Sequence, residues 1–180
     1  QEPHPIFKEH NLNFVPFKMD KEKFNNFRNN RKGVRAKSTK TNFTIYGAID
    51  DLWHNKDNDE IVVVDYKATS NKYGIDYVNS KMPYHKAYLR QLDFYAYLLK
   101  LNKFKVFKTG YWFVCNAQYK DQKTFRGNLN FKVELLSYNV STDYIENTLV
   151  ELEKCYNSSK IPLPTVACDT CRWLKETSKL

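Results

Sequence analysis

The sequence predicts an α/β domain with a mixed central β-sheet flanked by helices. Three observations carry that expectation: two apolar segments joined by the polar stretch 54–59, a long helical stretch after them, and a second pair of strand-like segments before a last helix. A helix placed between strand pairs favours a layered sheet in which not all strands run the same way. A chain of 180 residues can bury a respectable core, so residues 1–180 are expected to form a single domain. The first residue is Gln rather than Met, which reads as a fragment whose upstream segment is missing.

Taken in order, residues 1–17 hold PHPIF and NFVPF and read as an irregular segment packed by its aromatic side chains. Asp20 is placed to cap a short helix through Asn29, with Phe24 and Phe27 three apart on one face. Residues 42–53 read as the first strand, and 61–68 as the second, led by the β-branched run Ile61–Val64. Residues 70–83 are polar, with Gly74 and Pro83, and read as a loop. A helix follows from about Tyr84 to Asn102, with Leu92, Tyr95, Leu98 and Leu99 at helical spacing. Residues 109–116 and 129–139 read as two more strands. Ser141 or Thr142 is then placed to cap a helix carrying Ile145, Leu149, Leu152 and Tyr156. The tail IPLPTVACDTCRWL shows no clear periodicity.

Charge narrows the class. Lys and Arg outnumber acids 29 to 20, a formal net charge of +9. Nine basic side chains fall within 18–40, against Asp20 and Glu22, whereas 50–65 holds six acids. A basic apron beside an acidic pocket suits a polyanion gripped near a divalent cation. Within the apron, Phe24 and Phe27 interleave with Arg28, Arg31, Lys32 and Arg35, the candidate nucleic-acid contacts. No run is long enough for a membrane-spanning helix. There is no GxGxxG or GxxxxGK[ST] glycine loop for phosphates. The four cysteines are not spaced as a dense secreted disulfide framework, which favours a reducing cytoplasm.

The sharpest signal is charge inside an apolar strand. Asp65 and Lys67 follow Ile61–Val64 directly and, standing two apart, leave the same face of the strand. A buried carboxylate must be paired or bind a metal. Asp50, at the end of YGAID, comes near Asp65 if the two segments pair across the turn. Adjacent strand residues face opposite ways, so only one of Asp50 and Asp51 is to be expected at that site. The bland alternative is an Asp65–Lys67 ion pair on an edge strand. Phosphodiester hydrolysis needs one or two carboxylates and backbone oxygen for magnesium, and a lysine that orients water and offsets charge. Asp50, Asp65, Lys67 and the carbonyl of Tyr66 fit that list.

Gly47-x-x-Asp50, Asp65-x-Lys67 and Gln91-x-x-x-Tyr95, in that order, resemble the PD-(D/E)XK nuclease superfamily. The wording GAIDDLW, VVDYKATS and RQLDFYAYLL is similar to its RecB-like branch, including CRISPR-associated RecB-like nucleases. The resemblance covers roughly residues 42–101, with a weaker echo in the C-terminal CDTC. It implies a restriction-endonuclease-like core, Asp50 and Asp65 as ligands of Mg²⁺ or Mn²⁺, Lys67 as the catalytic lysine, and Gln91 and Tyr95 as the QxxxY pair. Ile49 stands where the family name has proline. Many RecB-like nucleases carry a histidine ligand on an upstream helix, but neither His4 nor His10 is assigned that role. Some relatives also hold zinc or an iron–sulfur cluster with four cysteines. Here Cys168-x-x-Cys171 offers two ligands, and Cys155 is a candidate third.

The function expected is therefore a metal-dependent DNA nuclease, a phosphodiesterase with no membrane partner, working alone or as a subunit of a repair or defence complex. Two rivals stand beside it: a nucleic-acid-binding module that keeps the fold without cutting, and an interaction domain stabilised by zinc or an iron–sulfur cluster.

Overall fold

The computed structural model describes residues 3–71, 75–118, 127–166 and 168–178. In chain order the elements are α1 (Pro5–Glu9), β1 (Phe14–Pro16), α2 (Lys21–Phe27), β2 (Val34–Lys37), β3 (Thr44–Gly47), β4 (Asp51–Asn55), β5 (Glu60–Thr69), α3 (Pro83–Leu101), β6 (Thr109–Gln118), β7 (Asn130–Asn139), α4 (Ile145–Tyr156) and α5 (Asp169–Thr177). The main sheet has the order β1-β4-β5-β6-β7. Only the β5–β6 pairing is parallel, and α3 makes the crossover between those strands. This mixed sheet flanked by helices is the arrangement expected of a restriction-endonuclease-like core.

The run Ile61–Val64 places β5 at the centre because it is apolar on both faces. Ile61 and Val63 join the core under α3 and α4, with Leu52, Leu92, Leu98 and Trp112. Val62 and Val64 point the other way, into a smaller core closed by Ile6, Phe7, Phe14 and Trp53. A strand covered on both sides loses the polar alternation of a half-exposed one.

Four features differ from the sequence reading. The expected strand 42–53 is two strands in two sheets. β3 pairs with β2 in a separate antiparallel hairpin, while β4 pairs with β5. Between them Ile49, almost fully buried, donates its N–H to the Phe27 carbonyl at 3.0 Å instead of to a strand. Residues 1–17 are not irregular throughout: they form α1, capped by the His4 side chain, and β1, which pairs with β4. Pro83 opens α3 rather than closing a loop, consistent with proline's tolerance in the first helical turn; Gly74, with the rest of 72–74, lies outside the described residues. Within the tail, the residues from Asp169 form α5, none of whose residues is buried.

Other expectations hold with small shifts. Asp20 caps α2, accepting from Lys23 N–H at 2.8 Å. The helix after β7 begins at Ile145 without either hydroxyl of Ser141 or Thr142 as cap; the Thr142 carbonyl accepts from Ile145 N–H at 3.3 Å instead.

Two buried carboxylates fasten α3. Asp93 accepts from Ser141 N–H at 2.7 Å and from the hydroxyls of Tyr144 and Tyr138 at 3.0 and 3.3 Å. Glu146 accepts from Ser38 Oγ at 2.7 Å, from the backbone of Thr39 and Lys40 at 2.9 and 3.1 Å, and from the Tyr97 hydroxyl. Burial pushes the Glu146 carboxyl up, but those donors outweigh it and hold it at about 2.

A depressed folded-state value contributes stability above the ordinary 4.5 and loses it as pH falls towards 2. The stability gap between wild type and Glu146→Gln is therefore expected to be widest near pH 7, on the order of 3 kcal/mol at most, to narrow as pH falls below 4.5, and to close only as pH falls through about 2. Urea melts across that range read it; a gap constant with pH contradicts the account.

Candidate active site

Pairing of β4 with β5 ends at Asp51 opposite Val64, whereas β5 continues beside β6 to Thr69. Residues 65–69 therefore present an open edge where β4 has stopped, and the bend at 48–50 carries Asp50 across it. Asp50 Oδ2 accepts from Tyr66 N–H at 2.9 Å, filling the place a paired strand would have taken. Its carboxyl lies close enough to Asp65 to raise the latter's pKa through charge and hydrogen bonding.

Asp65 is 1% exposed. Lys67 Nζ stands 2.5 Å from its Oδ2, yet neither carboxylate oxygen has a hydrogen bond of ordinary geometry. Burial pushes the Asp65 carboxyl up to about 6, Lys67 pulling it down and Asp50 adding to the rise. The Lys67 ammonium donates to Gln91 Oε1 at 3.0 Å, and Gln91 Nε2 donates to the Tyr95 hydroxyl at 2.8 Å. One chain of contacts thus runs Asp65–Lys67–Gln91–Tyr95, from the central strand to one face of α3.

Asp51 faces the other way. It accepts from the Tyr66 hydroxyl at 2.6 Å, Trp53 Nε1 at 3.3 Å and Leu52 N–H at 2.9 Å. Asp50 is thus the carboxylate on the side of Asp65 and Lys67.

Two residues complete this face. Tyr88, one turn before Gln91, lays its ring 4.4 Å from Lys67 Nζ, a cation–π contact that sequence reasoning missed; its i, i+3 spacing to Gln91 was the available signal. Gly47 lets Tyr95 approach, since a Cβ there would lie 2.9 Å from Tyr95 Cε1 and 3.3 Å from Leu98 Cδ1. His85, half-buried, packs against Tyr77 and Tyr84 at centroid distances of 4.7 and 4.3 Å. His4 serves as the cap of α1.

Residues 4–175 match the family model of the PD-(D/E)XK nuclease superfamily. The chain belongs to the PD-(D/E)XK nuclease superfamily. No curated protein and no solved structure matches it. Members of the superfamily are typically metal-dependent phosphodiesterases, so a divalent cation and a nucleic-acid substrate follow at that level. Among the described residues, no helix is long and apolar enough to cross a membrane.

The donor set here fits a hard cation. Asp65 has two buried oxygens without a hydrogen bond of ordinary geometry, one of them against Lys67, and Mg²⁺ needs only one or two carboxylates because it retains several waters. Among the described residues no group of three or more His, Cys, Asp and Glu gathers, so backbone oxygen and water would complete such a site. The cysteines differ from the zinc or iron–sulfur expectation. Cys168 and Cys171 are joined as a disulfide, and Cys155 is free and exposed on α4. Bonded to each other, the paired sulfurs are not the thiolates that either metal centre requires.

The basic residues divide. Arg28 lies over the Phe24 ring at 5.6 Å. Arg35 instead clamps its own turn, donating to the carbonyls of Lys32 and Arg31 at 2.7 and 2.6 Å, and stacks on Tyr46. Lys32 Nζ donates to Asn26, and Arg31 is exposed.

Because its folded-state value lies above the ordinary 3.8, Asp65 contributes stability only at low pH and loses it as pH rises through about 6. In EDTA at pH 8, Asp65→Asn is accordingly expected to melt above wild type, by several degrees, whereas Mg²⁺ or Mn²⁺ should raise the melting temperature of wild type alone. Differential scanning calorimetry reads both arms. Gly47→Ala is expected to destabilise by about 1–3 kcal/mol through overpacking. With Tyr95→Ala in the same chain the combined cost should fall well short of the sum, which a double-mutant cycle measures.

Proposed function

We propose that this chain is a Mg²⁺- or Mn²⁺-dependent DNA nuclease of the RecB-like branch, hydrolysing phosphodiester bonds by direct attack of water with no covalent enzyme intermediate. The carrying observation is Lys67. Its ammonium is shared between Asp65 and Gln91 and braced by Tyr88, on the face where Asp50 approaches Asp65. Gln91 and Tyr95, hydrogen-bonded to each other at the QxxxY spacing, support assignment to the branch.

Asp50 and Asp65 are the residues that would hold the cation. The backbone carbonyl of Tyr66 is a further candidate ligand, since N–H and C=O of one strand residue leave on the same edge and Asp50 occupies that edge. When bound, the cation supplies Lewis-acid charge stabilisation and acidifies water. Lys67 orients the attacking water and offsets charge gathering on the phosphate oxygens. Gln91 keeps that ammonium from collapsing wholly onto Asp65, and Tyr95 fixes the amide orientation of Gln91. The attacking water gives up a proton to solvent as its oxygen bonds to phosphorus, the ester P–O bond breaks, and the departing oxygen takes up a proton from solvent. The whole of residues 1–180 is proposed to act as this one nuclease domain.

Linear, circular and single-stranded DNA are each incubated with Mg²⁺ or Mn²⁺, and wild type is expected to cut at least one of them. Asp65→Ala and Lys67→Ala should each slow cutting by about 10² or more, the scale on which loss of a charge-stabilising group is felt. Equal cutting by all three proteins would sink the assignment. No cutting by any would favour a module that binds nucleic acid without cleaving it.

A further inference from the structure

The two edges of the main sheet are unlike. At one end stands β1, three residues long and ending in Pro16, a short strand blunted by proline against pairing with another chain. At the other stands β7, ten residues paired to β6 without a bulge and holding neither proline nor glycine. Among the described residues no strand covers its outer edge. A long unpaired strand of that kind is a template for a further strand.

Its side chains specify which strand. Phe131 and Val133 alternate onto the same face as Leu135, which belongs to the smaller core. They are 48% and 42% exposed, so the apolar row runs on beyond the end of that core. On the other face, with Leu136 and Tyr138, stand Lys132 and Glu134, Nζ lying 2.7 Å from Oε1. A lysine on an edge strand ordinarily repels a second strand. Here Glu134 matches its charge, and the order Lys132–Val133–Glu134 is complementary to itself when read antiparallel. A twofold axis at Val133 sets Lys132 of each copy opposite Glu134 of the other, Val133 opposite Val133, and Phe131 opposite Leu135. An axis at Lys132 or at Glu134 would instead set like charges directly opposite each other, which is destabilising.

We infer that β7 is the pairing edge of a twofold homodimer, in which two copies of this chain join their sheets antiparallel through residues 130–136, centred on Val133. The pairing uses up β7 in both copies and β1 offers no second edge, so assembly stops at two. The axis stands normal to the sheet, and Lys67 leaves the same face in both copies. Nothing in the pairing uses Asp65, Lys67 or a cation, so it stands or falls apart from the nuclease reading.

Sedimentation equilibrium of the whole chain, from about 1 µM to about 200 µM, reads the association. Wild type is expected to rise from the mass of one chain to that of two and no further. Lys132→Glu and Glu134→Lys each place like charges opposite one another on both sides of the axis, and each should weaken association by about tenfold or more. They shift the net charge in opposite directions, so a loss common to both reports the local pairing rather than overall repulsion. An equal mixture of the two variants restores opposite charges at every contact between positions 132 and 134. It is expected to dimerise as wild type does, which also shows that both variants fold. Combined in one chain, Lys132→Glu with Glu134→Lys keeps the complementarity and should dimerise alone. Wild type staying at one chain throughout would overturn the inference and leave the edge to a strand of another protein. So would growth beyond two chains, a single variant that associates like wild type, or a mixture of the folded variants that associates no better than either alone.

Discussion

An ionised carboxylate held beneath a helix, on the most deeply buried strand of the sheet, is a standing cost, and the parts around Asp65 are arranged by it. Ile61 to Val64 anchor β5 between two cores, so the strand cannot slide to bring the next residue to water. Asp65 is left 1% exposed with unsatisfied oxygens. Lys67, one strand repeat further on, meets part of that demand, and Asp50 adds to it by bringing a second negative group. Two carboxylates and one ammonium leave a residual negative charge that a divalent cation can answer.

The same strand geometry explains why neighbouring residues serve different faces. Side chains alternate, so Asp65 and Lys67 look towards α3 while Tyr66 looks towards α1. Asp50 and Asp51 repeat the division on the other side of the open edge. One peptide therefore stands between a carboxylate pair and the Asp51–Tyr66 contact of the other face, and a slip of one residue in β4 would exchange Asp50 and Asp51.

Much of this was legible in the sequence where short-range periodicity decides it. The β-branched run, the D-x-K alternation and the one-turn spacing of Gln91 and Tyr95 are local, and the structure places those side chains together. The break at 48–50 was not legible. It depends on Ile49 bonding the Phe27 carbonyl, a contact across 22 positions, and nothing in GAIDD distinguishes it from an ordinary strand. Choosing between Asp50 and Asp51 waits on that break. β2 was hidden for another reason: VRAK lies in a basic tract, and only Val34 of its four residues is fully buried. Arg35 looked like a nucleic-acid contact because charge alone does not show that its guanidinium holds a turn. The α5 helix escaped notice because it buries none of its residues, so no apolar stripe of core spacing marks it.

Positioning Gln91 and Tyr95 demands more than a helix, because an amide that must hold an ammonium cannot swing with a loosely packed element. On α3 the residues two further along from each, Asp93 and Tyr97, point elsewhere and engage the two buried polar networks. Asp93 ties the helix to the β7–α4 connection through Ser141 and Tyr144. Tyr97 ties it to the 38–40 turn and to α4 through Glu146. Each carboxylate is surrounded by several donors, so moving α3 would strand a buried charge or hydroxyl and cost on the order of 1–3 kcal/mol per group left unsatisfied. Apolar packing alone resists such a shift in proportion to area and tolerates small slides. Directional bonds on the other faces of α3 set its rotation about its axis, and with it the angle at which Gln91 meets Lys67.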